Sequence, residues 1–314
     1  MHTMDDAHAR LDAIRDALRA VISGRPEAID LLLLGILAGG HVLIEDVPGV
    51  GKTTLARALA RCFRLGCTRV QFTPDLMPSD ILGASVLDPR DGTFRFHRGP
   101  IFTHVLLADE LNRASPRTQS ALLEAMNESQ ATVDGVTHPL PSPFFVLATQ
   151  NPADTAGTHP LPDAQLDRFI LRLSMGYPDA DAELAMLFAR QDADPLDRVE
   201  ALADGDTLRA MQRAVRAVTV RDPVARYLQR LCAATRQHPD LAQGVSPRGT
   251  LSLFRVAQAR AFVHKRGYVT PDDVQSIAGP ALAHRVVLAP QARFGGRSAA
   301  AIVAAVVSGV EVPV

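Results

Sequence analysis

The chain has 314 residues, of which 47% are hydrophobic and 5% aromatic, so it is long enough for two domains with a sizeable buried core. Its 33 basic and 34 acidic residues give a formal net charge of -1, which excludes a global electrostatic field that would attract nucleic acid or an anionic membrane surface. The longest apolar stretches, 31–40 and 299–307, are shorter than the roughly 18 to 20 residues that span a bilayer, so no membrane span is predicted.

The amino-terminal segment MHTMDDAHAR lacks the basic-then-apolar order of a secretory signal, which predicts a cytoplasmic protein. The cysteines Cys62, Cys67 and Cys232 have no CxxC spacing and are interpreted as small buried residues. The sequence contains no HExxH motif and no Cys/His cluster with zinc-ligand spacing. Nothing in it therefore predicts a zinc site.

The first element with a chemical signature is EDVPGVGKTT at residues 45–54, between an apolar run and an alanine-rich helical segment. Glycines let backbone N–H groups close around phosphates, while a lysine reaches the outer phosphates and a hydroxyl coordinates magnesium. The helix that begins at Lys52 adds its positive end. Asp46 stands where the usual pattern has glycine, and spacing alone does not explain it. The predicted nucleotide-binding residues are Pro48, Gly49, Val50, Gly51, Lys52, Thr53 and Thr54.

Strand-like apolar runs alternate with helical segments through the first half of the chain. The runs are 42–45, 68–72, 105–108, 144–149 and 170–173. This alternation predicts an α/β domain with a mostly parallel, helix-covered sheet. From Tyr177 onwards only helical periodicity remains, starting with a capped helix at Asp179. The predicted domains are therefore 1–176 and 177–314.

Two segments interrupt the sheet domain, near 84–96 and 130–140. Each has two strand-like arms about a turn, PRDG in the first and VDG in the second. Both are predicted to be hairpins that project from one face, and ordinary long loops are the alternative.

Polar residues follow two of the buried strands. HVLLADE ends in two carboxylates, of which Asp109 is predicted to hold magnesium and Glu110 to polarise the attacking water. FFVLATQN ends in Asn151, whose amide could orient that water. Phosphoryl transfer also needs positive charge beside the outer phosphate, for which Arg168 and Arg248 are candidates from the same or a neighbouring subunit.

Taken together, these residues resemble the AAA+ ATPases, and specifically the MoxR group with its helix-two insert. The resemblance extends along nearly the whole chain through GGHVLIEDVPGVGKTTLARAL, VQFTPDLMPSDILG, LLADELNRASPRTQSALLEAMNE, VLATQNP, GTHPLPDAQLDRF and SPRGTLSL. It implies a P-loop AAA+ core with a parallel five-stranded sheet, followed by a C-terminal all-helical lid domain. The glutamate-aspartate pair before PGVGKT is common in that group.

The resemblance implies ATP and Mg²⁺ as cofactors. By position, Lys52 and Thr53 match the residues that bind phosphate and magnesium, and Asp109 and Glu110 match the Walker B pair. Asn151 matches the sensor on the fourth strand.

Two arginines match residues that respond to nucleotide in this family. Arg168 corresponds to the finger inserted into the neighbouring subunit's site, and Arg248 to the second sensor, which couples lid position to nucleotide state. Gly24 and Arg25 stand on the adenine side. Since Arg25 replaces the usual glutamine, the resemblance leaves its contact with the base open.

The function that the resemblance implies is a ring-forming, hexameric ATPase that remodels or matures a protein partner, often one with a von Willebrand factor A domain. A nucleic-acid motor is disfavoured because residues 131–145 contain no lysine or arginine, although Arg90, Arg95 and Arg98 leave the first insert some capacity. A metal-chelatase ATPase subunit and a low-turnover nucleotide switch are further alternatives. The switch is disfavoured because Glu110 and Arg168 are both present, and a protein that only binds nucleotide would not need them.

Overall fold

The computed structural model describes residues 2–151, 158–189 and 194–313. Pro152 and Gly157, which belong to two of the motifs above, lie outside these ranges. The amino-terminal part contains, in chain order, α1 (His2–Val21), α2 (Pro26–Leu37), β1 (His41–Glu45), α3 (Lys52–Cys62), β2 (Cys67–Gln71), α4 (Pro78–Leu82), β3 (Gly83–Leu87), β4 (Phe94–Arg98), β5 (Val105–Asp109), α5 (Pro116–Glu128), β6 (Gln130–Val133), β7 (Val136–Pro139), β8 (Phe145–Gln150), α6 (Asp163–Leu166) and β9 (Phe169–Leu173).

Five of these strands form one parallel sheet in the order β2-β5-β8-β1-β9. The prediction of a five-stranded parallel sheet is confirmed, and each strand agrees with its predicted run to within one residue at either end. The central strands consist of apolar residues because both faces are covered, and in β5 the run 105–108 is fully buried.

Parallel strands give the sheet two chemically distinct edges. The edge where the strands end, here called the carboxyl edge, carries the segments that follow Glu45, Asp109 and Gln150. The edge where the strands begin, here called the amino edge, includes His41 and Phe169, which lie opposite each other on β1 and β9. These two edges lie a full strand length apart, about 13 to 17 Å for strands of five residues.

The two predicted hairpins are present. β3 pairs with β4 and β6 pairs with β7, both antiparallel, outside the main sheet. The hairpins also contact each other, because the ring of His138 stacks on Phe96 with centroids 4.0 Å apart and planes 14° apart. Phe102 packs edge-on against Phe96 at 5.6 Å and attaches this cluster to the segment before β5.

The carboxyl-terminal part is helical, as predicted. Its elements are α7 (Ala180–Ala189), α8 (Gly205–Arg216), α9 (Asp222–Gln237), β10 (Leu241–Gln243), α10 (Pro247–Val263), α11 (Pro271–Leu282), a 3-10 turn (Ala283–Arg285), β11 (Val287–Leu288), α12 (Pro290–Phe294) and α13 (Ala299–Gly309). The short antiparallel pair β10 and β11 departs from the prediction of helices alone, because two or three residues show no readable alternation.

One hydrophobic core joins the helical part to the sheet domain. Side chains of α2 and α3 share a buried cluster with those of α8 to α11. A second cluster lies on the other face of the sheet, beneath α5. The domain boundary at Gly176 stays a prediction. Within the described ranges, no helix combines the length and apolarity needed to cross a bilayer.

Candidate functional site

The phosphate loop leaves the carboxyl edge between β1 and α3. Gly51 precedes the helix with φ of +93°, a left-handed conformation that suits glycine, and α3 begins at Lys52. The side chain of Lys52 is buried and its Nζ donates to the backbone oxygen of Asp46 at 3.2 Å. The loop therefore holds the Lys52 side chain close to the backbone N–H groups at the start of α3.

Asp46, the departure from the usual loop pattern, has a structural role. Its carboxylate is buried and accepts hydrogen bonds from the backbone N–H groups of Met175 and Gly176, the latter at 2.7 Å, and from the Ser174 hydroxyl at 3.2 Å. These residues follow β9 and lead into α7. Asp46 thus ties the phosphate loop to the segment that enters the helical part. A glycine at this position could not make these bonds.

Asp109 ends β5 and is held from two sides. Its Oδ1 accepts from the Thr149 hydroxyl at 2.6 Å, and its Oδ2 accepts from Arg69 Nη2 at 2.7 Å. Each carboxylate oxygen has a further lone pair, so neither contact prevents the group from accepting another ligand. Thr149 also accepts from the backbone N–H of Glu110 at 2.9 Å, which links the two acidic residues through one hydroxyl.

Glu110 adopts a left-handed backbone conformation, with φ of +56°. A non-glycine residue in this region is uncommon, and such strain clusters at functional sites. Its Oε2 accepts from Gln71 Nε2 at 2.8 Å and from Arg113 Nη1 at 3.1 Å. No motif of the sequence singled out Gln71, Arg69 or Thr149. The available signal for Gln71 and Thr149 was a polar residue at or next to the carboxyl end of a strand, whereas Arg69 lies in the middle of β2.

Two cavities flank the phosphate loop. One, of about 280 Å³, is lined by Val21, Ile22, Ser23, Arg25, Pro48, Gly49, Val50, Gly51, Thr54, Tyr177, Pro178, Ala182, Glu183 and Met186. The other, of about 350 Å³, is lined by Pro48, Gly49, Gly51, Lys52, Thr53, Thr54, Arg69, Gln71, Asp109 and Glu110. The first is largely apolar and suits a base, while the second collects the charged groups and suits phosphates. All seven predicted loop residues line one cavity or both.

The residues predicted to bind magnesium fit that ion. Thr53 and Asp109 line the same cavity, and hydroxyl and carboxylate oxygens are the ligands that Mg²⁺ prefers. Throughout the described residues, no group of three or more His, Cys, Asp or Glu side chains could hold a metal. A magnesium ion here would therefore take its remaining oxygen ligands from phosphates and water, as Mg²⁺ usually does beside a nucleotide.

Asn151, Arg25 and Gly24 are the other residues predicted for the nucleotide site on this side of the sheet. Asn151 directly follows β8, and its backbone oxygen accepts from Asn112 Nδ2 at 3.5 Å. Arg25 lines the base-side cavity and its Nη2 donates to the backbone oxygen of Gly176 at 2.7 Å. Gly24 packs against Ala182 of α7. Arg25 and Asp46 therefore bind Gly176 from opposite sides, one at its oxygen and one at its N–H.

Arg168 and Arg248 do not reach the phosphate loop of their own chain. Arg168 immediately precedes β9 at the amino edge, and Arg248 donates to Asn127 near the end of α5. His41, the first residue of β1, is hydrogen-bonded through Nε2 to the backbone oxygen of Met126, the residue before Asn127, at 3.0 Å. The sequence placed both arginines beside the outer phosphate, from the same or a neighbouring subunit; the structure brings them together at the edge opposite that site.

The charges at the amino edge affect one another. Burial, and after it the positive charge of Arg248, lowers the pKa of Arg168. Burial also lowers the pKa of His41 to about 4, and Arg248 contributes in the same direction. These shifts indicate that Arg168, Arg248 and His41 share one electrostatic environment.

Models of two families match the chain. The ATPase family associated with various cellular activities matches residues 41–171, which include the phosphate loop, the acidic pair and Arg168. The AAA lid domain matches residues 233–306, which include Arg248. The match to the first model includes residues of all five strands of the sheet.

Relatives match over most of their length. YeaC of Bacillus subtilis, an uncharacterised protein, is 46% identical over 100% of this chain and 98% of its own. The chaperone MoxR1 of Mycobacterium tuberculosis is 39% identical over 86% of this chain and 74% of its own, and protein MoxR of Paracoccus denitrificans is 32% identical over 91% of each. The crystal structure of a Cytophaga hutchinsonii protein assigned as an ATPase superimposes with a TM-score of 0.92 at 34% identity, covering 100% of this chain and 98% of that one. The chain therefore belongs to the MoxR family of AAA+ ATPases and is an ATP-hydrolysing enzyme with a nucleotide-binding core and a helical lid.

Proposed function

We propose that the chain works as an oligomer, a hexameric ring, in which each nucleotide site is completed by Arg168 and Arg248 of a neighbouring copy, and that hydrolysis remodels a protein partner. The observation that carries this proposal is the separation of the two edges. The phosphate loop, Asp109 and Glu110 lie at the carboxyl edge, whereas both arginines lie at the amino edge. In a single copy, therefore, Arg168 and Arg248 lie at the opposite edge of the sheet from the phosphate loop of the same chain.

The residues of one copy divide the work of hydrolysis between them. Lys52 and the start of α3 bind the phosphates, and Glu110 polarises the attacking water. Gln71 and Arg113 orient the Glu110 carboxylate. A magnesium ion, held by Thr53 and Asp109, would neutralise charge on the phosphates. An arginine from the next copy would stabilise the charge that develops on the transferred group.

The two hairpins support a protein partner over nucleic acid. They expose large apolar side chains, of which Phe94 is 72% and Val136 is 56% accessible. Arg95, one of three candidate phosphate contacts, pairs with Asp88 at 3.3 Å and with Asp91 at 2.6 Å. A surface with exposed apolar side chains and an arginine already paired with two carboxylates suits polypeptide, and the name of MoxR1 as a chaperone agrees. We further propose that the protein partner contains a von Willebrand factor A domain.

The shared site is tested by mixing variants. Arg168→Ala should reduce turnover about 10³- to 10⁵-fold, as expected for loss of an arginine finger. Lys52→Ala should be inactive because it lacks phosphate binding. An equimolar mixture should regain activity, because Lys52→Ala copies supply arginines to the intact nucleotide sites of Arg168→Ala copies. Arg226→Ala, which removes an exposed arginine of α9, is the matched control and should leave turnover unchanged. A mixture that stays inactive would refute shared sites.

The partner class is tested through the hairpins. ATP turnover is measured with unfolded casein and, separately, with single-stranded DNA. We expect stimulation by unfolded protein, and we expect Phe94→Asp to lose that stimulation while keeping basal turnover. Stimulation by DNA alone, lost on replacing Arg90, would favour the nucleic-acid motor.

A further inference from the structure

Arg285 is a buried arginine that no motif of the sequence singled out. It ends the 3-10 turn after α11, and its side chain is only 1% exposed. Its Nε donates to Asp167 Oδ1 at 2.8 Å. Burying a guanidinium costs free energy unless it is paired with an opposite charge. The ion pair with Asp167 therefore allows Arg285 to be buried here. Its partner Asp167 is the residue next to Arg168.

Nη1 and Nη2 of Arg285 also bind the backbone around Arg168, besides contacts within the lid to the Ser252 hydroxyl and the backbone oxygen of Ala281. Nη2 donates to the backbone oxygen of Phe169 at 2.7 Å and to that of Asp167 at 3.2 Å, and Nη1 donates to that of Ile170 at 3.2 Å. Thus one side chain from the lid binds carbonyl groups of the residues before and after Arg168. β9 is an edge strand, paired with β1 on one side only, so its outer side has no neighbouring strand.

Asp167 also binds the segment that carries Arg248. Its Oδ2 accepts from the Ser246 hydroxyl at 2.7 Å. Ser246 is the N-cap of α10, accepting from the N–H of Gly249 at 3.0 Å, and Arg248 is the second residue of that helix. One carboxylate therefore joins the backbone before Arg168 to the helix start that presents Arg248.

Gly249 makes room for this arrangement. A Cβ at this position would lie 2.8 Å from Cδ of Arg285 and 2.7 Å from a methyl carbon of Val245. The stem of Arg285 therefore passes directly against the helix backbone. The SPRG motif is accounted for by these contacts, since Ser246 binds Asp167, Arg248 extends to the surface and Gly249 admits Arg285.

Among the residues that the structure describes, no side chain holds the Arg168 guanidinium in a comparable way. Its Nε is buried, and among the described residues it has no hydrogen-bond partner. The direction of its side chain therefore depends on the position of its backbone, which Arg285 and Asp167 fix. Arg285 and Arg248 are close enough that the charge of Arg248 acts with burial to lower the pKa of Arg285, while Asp167 opposes both.

We infer that Arg285 and Asp167 are positioning residues, which join the lid to the residues around Arg168 so that Arg168 and Arg248 meet the nucleotide site of a neighbouring copy as one unit. This inference rests on the proposed sharing of sites between copies. Neither residue touches nucleotide. If the two residues only attached the lid, their replacement would lower the free energy of unfolding. The loss of turnover would then not be confined to the amino edge.

The experiment uses Arg285→Lys, which keeps the charge but loses the planar fork of donors. Turnover of the full-length chain should fall about 10²-fold, as expected for a misplaced catalytic group, while affinity for a fluorescent ATP analogue stays unchanged. Mixing with Lys52→Ala should restore activity, because those copies contribute correctly placed arginines. Mixing with Arg168→Ala should not restore it, because both partners are then defective at the amino edge.

Asp167→Asn is the second variant, in case Arg285→Lys does not fold. It retains an oxygen acceptor and should show a smaller loss, about tenfold, with the same pattern of restoration. Arg266→Gln is the matched control, because Arg266 forms a lid ion pair with the buried Asp273 at 2.6 Å, away from the segment around Arg168. It should lower lid stability and leave turnover within about twofold.

The outcomes separate the two proposals. If Arg168→Ala is restored by Lys52→Ala but Arg285→Lys and Asp167→Asn are not, the positioning role is wrong and the shared site stands. Normal turnover in both variants also overturns the positioning role. If Lys52→Ala restores none of the three, the proposed sharing of sites fails first.

Discussion

The two edges of the sheet organise their polar side chains by different means. At the carboxyl edge, Asp109 and Glu110 are held by Arg69, Gln71 and Thr149, all on strands of the same sheet. At the amino edge, the backbone around Arg168 is held by side chains from the lid. The contacts that hold the acidic pair therefore come from the α/β core, whereas the contacts that hold the backbone around Arg168 come from the lid.

The largest effect that tests this comparison is expected at the carboxyl edge. Glu110→Gln should keep nucleotide binding but reduce turnover about 10²- to 10⁴-fold, since the amide cannot accept a proton from water. Mixing it with Lys52→Ala should give no recovery, because both defects lie at the same edge of their chains. Phosphate release and analogue binding measure the two properties. Recovery in this mixture would show that the edges do not behave as separate halves.

The pH dependence of the unfolding free energy tests the environment of the buried His41 at the amino edge. His41 accepts a hydrogen bond from the N–H of Val146 through Nδ1 at 3.0 Å, and this nitrogen must be unprotonated to do so. Burial lowers the pKa of the folded His41 to about 4, so between pH 6.5 and 4 the unfolded chain binds more protons. Stability is therefore lost as pH falls, by about 2 kcal/mol between pH 7 and pH 5 for this residue.

Urea denaturation of the wild type and His41→Gln at both pH values measures that contribution. The variant should lose less stability on acidification than the wild type. His284, whose pKa is also lowered by burial, is present in both proteins and cancels in the difference. Parallel losses in the two proteins would contradict the assignment to His41.

A pair of glycines tests how closely the lid is fitted to the amino edge. Gly249→Ala should destabilise the chain by about 1 to 3 kcal/mol, because the added methyl group contacts Arg285 and Val245. A methyl group added at Gly279, inside α11, would meet no atom within 4 Å, so Gly279→Ala should stabilise by up to about 1 kcal/mol. Thermal or urea denaturation gives both values. Equal effects at the two sites would argue against close packing at Gly249.

The smallest expected effect concerns the loop itself. Asp46→Asn keeps an oxygen acceptor for Gly176 but loses the charge, which should cost about 1 kcal/mol of unfolding free energy. Asp197→Asn, at an exposed ion pair with Arg61, should cost nothing measurable. If the two variants are equally stable, the Asp46 carboxylate contributes no more than a surface charge.

Much of the carboxyl edge could be predicted from sequence because its parts are local. The loop, the acidic pair and the apolar strands each occupy a few consecutive residues with a recognisable pattern. Asp46 and Arg285 could not be understood in that way, since their partners lie about 130 and 118 positions away. The β10 and β11 strands were missed because they are too short to show alternation.

The placement of the arginines opposite the phosphate loop has a consequence for counting sites. If each site takes its loop from one copy and its arginines from the next, the contact is head-to-tail, which closes into a ring or continues as an open filament. A closed ring then has as many complete sites as chains. Any open assembly has one fewer, so two copies provide a single working site, and closure itself raises the activity of every chain on average.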